Sequence, residues 1–185
     1  LSGTVDDTAA SISVTVGGQT RSATNNGDGT WTLADNALST LADGVYDVAV
    51  TATDAVGNTG TDGTSNELTV DTAAPSVTVN TRITKDTTPP LTGSVDDNGA
   101  SISVAVGGQT RTATNNGDGT WRLSNGSLNA LAEGTYDVAV TATDAAGNAG
   151  TDGTADELVI DLTPPSITVD PLTTNDSTPP LSGTV

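Results

Sequence analysis

The chain has 185 residues, enough for one ordinary domain or two small ones. It contains no Phe, Met, Cys or His, and sets 23 acidic residues against five basic ones, a net charge of −18. That balance argues against nucleic acid or an anionic membrane as partner, and zero cysteine excludes disulfides and thiolate metal sites.

No apolar stretch approaches the roughly 18 residues that a membrane-spanning helix needs, so no membrane insertion is expected. Val and Thr favour strands, while Gly, Asn and Asp favour turns. Their abundance, with periodic β-branched runs, predicts an all-β protein with many short turns rather than disorder. The phrase LSGTV at Leu1 returns as LTGSV at Leu91 and as LSGTV at Leu181. Trp31 recurs as Trp121, Tyr46 as Tyr136 and Asp71 as Asp161, always 90 residues apart, and about two thirds of the paired positions are identical. A period of that length suits a small domain in tandem, not a solenoid repeat. The proline-bearing links DTAAPS at Asp71 and DLTPPS at Asp161 mark the boundaries. They predict a repeat without its first strand over 1–74, a complete repeat over 75–163 and the opening segment of a third over 164–185.

In the complete repeat, alternation and turn signals predict seven strands. SVTVN (76–80) comes first, and PLTGSV (90–95) follows a proline-bounded loop. ASISVAV (100–106) turns tightly at Gly107-Gly108 into QTRTAT (109–114), and NNGDG (115–119) leads into TWRL (120–123). TYDVAVTAT (135–143) should face Tyr136, Val138, Val140 and Ala142 inward, and ELVID (157–161) closes the set. Such spacing suggests a sandwich. A tyrosine at the start of the long penultimate strand matches an immunoglobulin-type sandwich, where it bonds back to the preceding loop; its other reading is a plain core aromatic. Trp121 reads as a core plug rather than a sugar-stacking platform.

Antiparallel strand directions bring several acidic loops to one end. VDDNG (95–99), NNGDG (115–119) and DAAGNAGTDG (144–153) face the preceding repeat, and the link beginning at Asp71 enters at the same end. This predicts that Asp71, Asp96, Asp97, Asp118, Asp144, Asn148 and Asp152 gather at one joint. Asp62 is the counterpart of Asp152, while NGDG around Asp118 is a good hairpin turn without any metal. Each close carboxylate pair costs on the order of 1 kcal/mol or more, and a divalent cation removes that cost. Calcium fits best, since it takes hard oxygen ligands and zinc would want His or Cys. The competing reading makes these acids turn formers on a solvated surface. DAAGNAGTDGTADE is not an EF-hand, because the acid at its third position and the glycine at its sixth are missing.

The motifs TYDVAVTATDAAGN, DLTPP and TNNGDGTW, set at fixed spacing along the whole chain, resemble the tandem bacterial immunoglobulin-like extender repeats of giant type I-secreted RTX biofilm adhesins. The resemblance implies tandem Ig-like Greek-key β-sandwiches of about seven strands, stiffened by Ca2+ between neighbouring repeats of the same chain. It implies a spacer that holds a distal binding domain away from a bacterial cell surface. By position it adds Asp6, Asp7, Asp54 and Asn58 in the first repeat, and leaves Asp161 for the repeat that follows. Asp86 and Asp176, in KDTTPP and NDSTPP, either brace the loop after the first strand or touch the next joint. The secretion nonapeptide GGxGxDxU is absent from these residues, which implies an extender rather than a secretion module.

Two other functions are weighed against the spacer. A carbohydrate- or host-protein-binding module would use ADNALST (34–40) and SNGSLNA (124–130), where the repeats differ most; neither holds an aromatic residue. An enzyme is not expected: without His, Cys or a cofactor motif, only an Asp/Glu pair could serve. Finally, 166–185 matches the segment that the first repeat lacks, which offers head-to-tail self-association between copies.

Overall fold

A computed structural model describes all of residues 1–185. Alternating Val, Ile and Thr residues form strands, and no helix appears. The chain divides into two units: Leu1–Ala74 with Ala146–Asn148, and Pro75–Ala145 with Ala149–Val185.

The first unit contains β1 (Ser2–Thr4), β2 (Ser11–Val16), β3 (Gln19–Asn25), β4 (Thr30–Thr32), β5 (Gly44–Tyr46), β6 (Val48–Thr53), β7 (Thr59–Thr61) and β8 (Leu68–Val70). They form one sheet in the order β1-β4-β3-β2-β6-β7 and a second, two-stranded sheet, β5-β8. The second unit contains β9 (Arg82–Thr84), β10 (Leu91–Ser94), β11 (Ser101–Val106), β12 (Gln109–Asn115), β13 (Thr120–Leu123), β14 (Gly134–Tyr136), β15 (Val138–Thr143), β16 (Ala149–Thr151) and β17 (Leu158–Ile160). Its large sheet repeats the same order, β10-β13-β12-β11-β15-β16, but its small sheet has three strands, β14-β17-β9. Strands β11, β12 and β13 follow one another as hairpins, and β10 returns beside β13. That is a Greek key, as expected for the immunoglobulin-like sandwich.

Side-chain alternation explains the layering. Ile102, Val104 and Val106 pair with Ala142, Val140 and Val138 across β11 and β15, and all six are buried. Trp121 is fully enclosed between the sheets, the core plug that the sequence suggests. Gly107 and Gly108 adopt φ of 55° and 72°, the left-handed pair that a two-residue hairpin turn requires. The hydroxyl of Tyr136 donates to the Ala132 carbonyl at 3.0 Å, and Tyr46 does the same to Ala42 at 2.9 Å. Each tyrosine is therefore a corner brace and more than a core aromatic.

Three details depart from the sequence reading. The expected long strand 135–143 is interrupted at Asp137, where the chain passes from the small sheet to the large one. There the Val138 N–H donates to the Glu157 carboxylate at 2.9 Å instead of to a strand. The loop after Thr143 is a hairpin, because Ala149–Thr151 folds back on β15. Within 76–80 only Val77 forms a bridge, to Val95. Thr78 and Asn80 still donate to the Ser94 and Thr92 carbonyls at 3.0 and 2.9 Å, and the proline-bounded loop after them contains β9.

Candidate functional site

The acidic loops of the second unit are built on strand ends that lie side by side. Ser101 pairs with Thr143, so the turns before β11 and after β15 share one end. Asn115, at the end of β12, staples the first of these turns by donating to the Asp97 and Ala100 carbonyls, each at 2.9 Å. Gly119 N–H donates to Asn98 Oδ1 at 3.1 Å, and Val95 N–H donates to the Gly119 carbonyl at 3.0 Å. The loops 95–100 and 115–120 are thus knitted together before any ion is considered.

Most carboxylates in these loops hold a local backbone turn, whereas Asp96 reaches back to a segment 20 residues away. Asp96 Oδ1 accepts from Ser76 N–H and Asp97 Oδ1 from Gly99 N–H, both at 2.7 Å. Asp118 Oδ1 accepts from Thr120 N–H at 3.1 Å. In the link, Asp71 Oδ1 accepts from Ala73 N–H at 3.0 Å. Asn148 lies with the first unit and donates from Nδ2 to the Asp71 carbonyl at 3.0 Å. Asp161 Oδ1 accepts from Thr163 N–H at 3.0 Å.

The first unit repeats the pattern. Asp7 Oδ1 accepts from Ala9 N–H at 2.8 Å, and Asp6 is exposed beside it. Asp54 is the most heavily engaged. Its Oδ2 accepts from Asn58 Nδ2 at 2.7 Å, and its Oδ1 accepts from the backbone N–H groups of Asn58 and Val56 at 2.8 and 2.9 Å. The Asn58 bonds, first among several, hold the Asp54 carboxyl below the usual aspartate range.

Asp152 and Asp62 lie elsewhere. The Asp152 N–H donates to the Val140 carbonyl at 3.0 Å, well along β15 from its turn. Its carboxylate accepts from the Thr154 hydroxyl at 2.7 Å, and Asp62 does the same with Thr64 at 2.8 Å. Asp86 Oδ1 accepts from Thr88 N–H at 2.9 Å, and Asp176 Oδ1 from Thr178 N–H at 2.9 Å. Both therefore brace the loop that follows their repeat's first strand.

Sequence reasoning missed two sets of acids. Glu157 is buried in the core, with Oε2 on the Val138 N–H and no partner for Oε1. Burial works to raise its pKa. Hydrogen bonding around it, including the Val138 N–H, prevails and holds the carboxyl below its ordinary value of 4.5. Asp156 precedes it in a left-handed conformation, φ 64°, which aspartate tolerates better than most residues. The second set clamps the links: Asp43 Oδ1 accepts from the Thr72 hydroxyl at 2.8 Å and Glu133 Oε1 from the Thr163 hydroxyl at 2.7 Å. Their signal is the acid shared by LADG and LAEG.

The loops 34–40 and 124–130, where a ligand-binding module would place its contacts, are tied down. Arg21 Nε donates to the Ala37 carbonyl and Arg111 Nε to the Ser127 carbonyl, each at 2.8 Å. Gln19 and Gln109 fasten Ser39 and Asn129 through both backbone groups.

No group of three or more acidic side chains is arranged to hold a metal ion. The donor set nonetheless has the chemistry of a calcium site, since every ligand on offer is a carboxylate, amide or carbonyl oxygen.

An immunoglobulin-like sandwich repeated in tandem, with acidic turns at the strand ends, defines a class of modular β-protein. The family model described as bacterial Ig-like domain matches residues 1–72 and again 76–162. The chain belongs to that family. Three solved structures are similar to it. One is a Ca2+-stabilized adhesin with which an Antarctic bacterium binds ice: 26% identity, 95% of this chain, 47% of that one, TM-score 0.44. A second is a 1.5-MDa bacterial ice-binding adhesin: 24%, 90%, 58% and 0.42. A third is a tetra-tandem repeat from the extending region of a large adhesion protein: 27%, 94%, 48% and 0.42. The chain thus spans about half the length of these structures. No curated protein matches the sequence.

Proposed function

We propose that this chain is an extender segment of a bacterial surface adhesin. It is a non-enzymatic spacer of Ig-like repeats that calcium makes stiff, and it holds a distal binding domain away from the cell. The observation that carries this reading is the doubled domain itself: one acidic-turn set, written twice at a spacing of 90 residues, each time beside a short proline-bearing link. Asp71, Asp96, Asp97, Asp144 and Asn148 form the ligand set between the repeats. The bond from Asn148 to the Asp71 carbonyl supports that grouping. Asp6, Asp7, Asp54 and Asn58 serve the joint ahead of the first repeat, and Asp161 serves the one after the second. Asp62 and Asp152, turned to Thr64 and Thr154, stand outside these sets. The domain limits are 1–74 and 75–163, and 164–185 opens a third repeat. The medium is extracellular, reached by type I secretion, and a biofilm or similar surface attachment is the setting.

Calcium supplies the charge that lets these carboxylates approach one another. A calorimetric calcium titration of the chain tests the reading, with Asp96→Asn/Asp144→Asn as the comparison. Saturable binding is expected, weakened about tenfold or more in the variant, as losing two charged ligands implies. No heat of binding and no rise in thermal midpoint at millimolar calcium would refute it.

A further inference from the structure

Four asparagines in the chain precede a glycine: Asn26, Asn98, Asn116 and Asn125. Such a pair carries a reaction of its own. The glycine nitrogen attacks the asparagine Cγ, because glycine has no Cβ to crowd the approach. The attack needs a glycine N–H that is released from its partner and a side-chain amide free to swing onto it. All four asparagines are exposed, so exposure does not rank them. Their hydrogen bonds do.

Three of the four pairs are locked on both sides. Asn25 Oδ1 accepts from Gly27 N–H at 3.1 Å, Asn115 Oδ1 from Gly117 N–H at 3.1 Å, and Asp97 Oδ1 from Gly99 N–H at 2.7 Å. Each acceptor is the Asn or Asp side chain just ahead of the reacting asparagine, and it pins the nucleophile inside its own turn. The amides are pinned as well. Asn26 Nδ2 donates to the Thr30 and Thr32 hydroxyls at 2.8 and 3.1 Å, and Asn116 Nδ2 to the Thr120 hydroxyl at 2.8 Å. Asn98 Oδ1 accepts from Gly119 N–H at 3.1 Å.

Asn125 has neither lock. Ser127 N–H donates to the Ser124 carbonyl at 3.2 Å, so Asn125 and Gly126 form the corner of a tight turn, with Gly126 at φ 76°. The residue ahead of the pair is Ser124, not Asn or Asp. The Asn125 side chain makes no hydrogen bond. Gly126 N–H is held only by the Thr88 carbonyl, 2.9 Å away in another loop.

We propose that Asn125 is a site of spontaneous deamidation, and that the bonds around Asn26, Asn98 and Asn116 protect those pairs from the same reaction. Gly126 N bonds to Asn125 Cγ, the Cγ–Nδ2 bond breaks, and ammonia leaves with the Gly126 proton. Water then opens the succinimide ring at either carbonyl, leaving aspartate or isoaspartate. Either product makes the charge of −18 one unit more negative. Isoaspartate also adds a methylene to the main chain of this turn, which shifts Gly126 N–H away from Thr88. The hold of this loop on the proline-bounded loop then slackens, leaving the bond from Leu131 N–H to the Thr87 carbonyl at 2.9 Å. The matching turn of the first repeat reads Asp35-Asn36-Ala37, so this change is written into one repeat and not the other.

The test is peptide mapping by mass spectrometry of the full chain aged at mildly alkaline pH, with aspartate and isoaspartate counted at each pair. In the folded chain Asn125 should convert at least about tenfold faster than the other three, the factor that one net hydrogen bond supplies. In urea the four rates should converge. Thr120→Val frees the Asn116 amide and should speed that site. Ser124→Asp installs the missing side-chain acceptor and should slow Asn125. Equal rates at the four pairs of the folded chain, or the same ranking retained in urea, would overturn the proposal. So would an Asn125 that stays intact while the unfolded chain reacts, or variants that leave both rates unchanged.

Discussion

Single residues show how tightly the repeat is written. Gly93 and Gly3 hold the same position, but only Gly93 lies under the Thr78 carbonyl; a Cβ on Gly3 would meet only the Trp31 ring, at 2.8 Å. Gly93→Ala should therefore destabilise its unit by about 1–3 kcal/mol, the usual cost of overpacking, and Gly3→Ala by less. Urea unfolding followed by tryptophan emission resolves the two. Tyr136→Phe removes the bond to Ala132 and should cost about 0.5–1.5 kcal/mol, read as a lower unfolding midpoint. Glu157 gives the chain an acid-sensitive point. Its carboxyl is held below its ordinary 4.5, so protonation favours the unfolded chain. The stability it contributes is present above about pH 4.5 and lost as pH falls through the lower, folded value. Glu157→Gln should start less stable and lose less between neutral and acid pH. Equal slopes for variant and parent in urea midpoints against pH would remove Glu157 from that role.

At the scale of elements, alternation made most of the fold legible. Strands β10 to β13 and the inward face of β15 follow from Leu91, Ile102, Val104, Trp121 and Val140. Val138 and Tyr136 share that face although they belong to different sheets, so period alone could not reveal the break at Asp137. The break depends on Glu157, which is distant in sequence and gives no local signal. Strand β16 was hidden because AGT has no β-branched alternation, and β9 because prolines and charges flank it. The acidic turns were legible as turns from Asp and Asn before Gly. That Asp152 turns toward Thr154 and not toward Asp144 follows from the β15–β16 hairpin, which loop composition did not disclose. The same comparison predicts a stability difference. Val140 and Leu158 are buried, whereas their counterparts Val50 and Leu68 are half-buried. Hydrogen exchange at Val138–Thr143 in a dilute sample should be slower than at Val48–Thr53. Equal protection would mean that segment 75–90 adds no stability.

For the whole molecule, the charge of −18 and the small-residue core belong together. A repeat with one Trp, one Tyr and no Phe buries modest apolar area, and its surface acids repel one another. An ion bound only by the folded form adds RT ln(1 + [L]/Kd), about 2.7 kcal/mol at a hundredfold excess. On the proposed reading, such an ion would stabilise each repeat and stop the link from acting as a hinge. The chain would then be loose where calcium is scarce and stiff where it is plentiful. Small-angle scattering of the dilute chain, in saturating calcium and in chelator, measures this directly. A larger maximum dimension with a narrower spread of conformations is expected when the ion is present. Superimposable profiles in the two conditions would contradict a calcium-stiffened spacer.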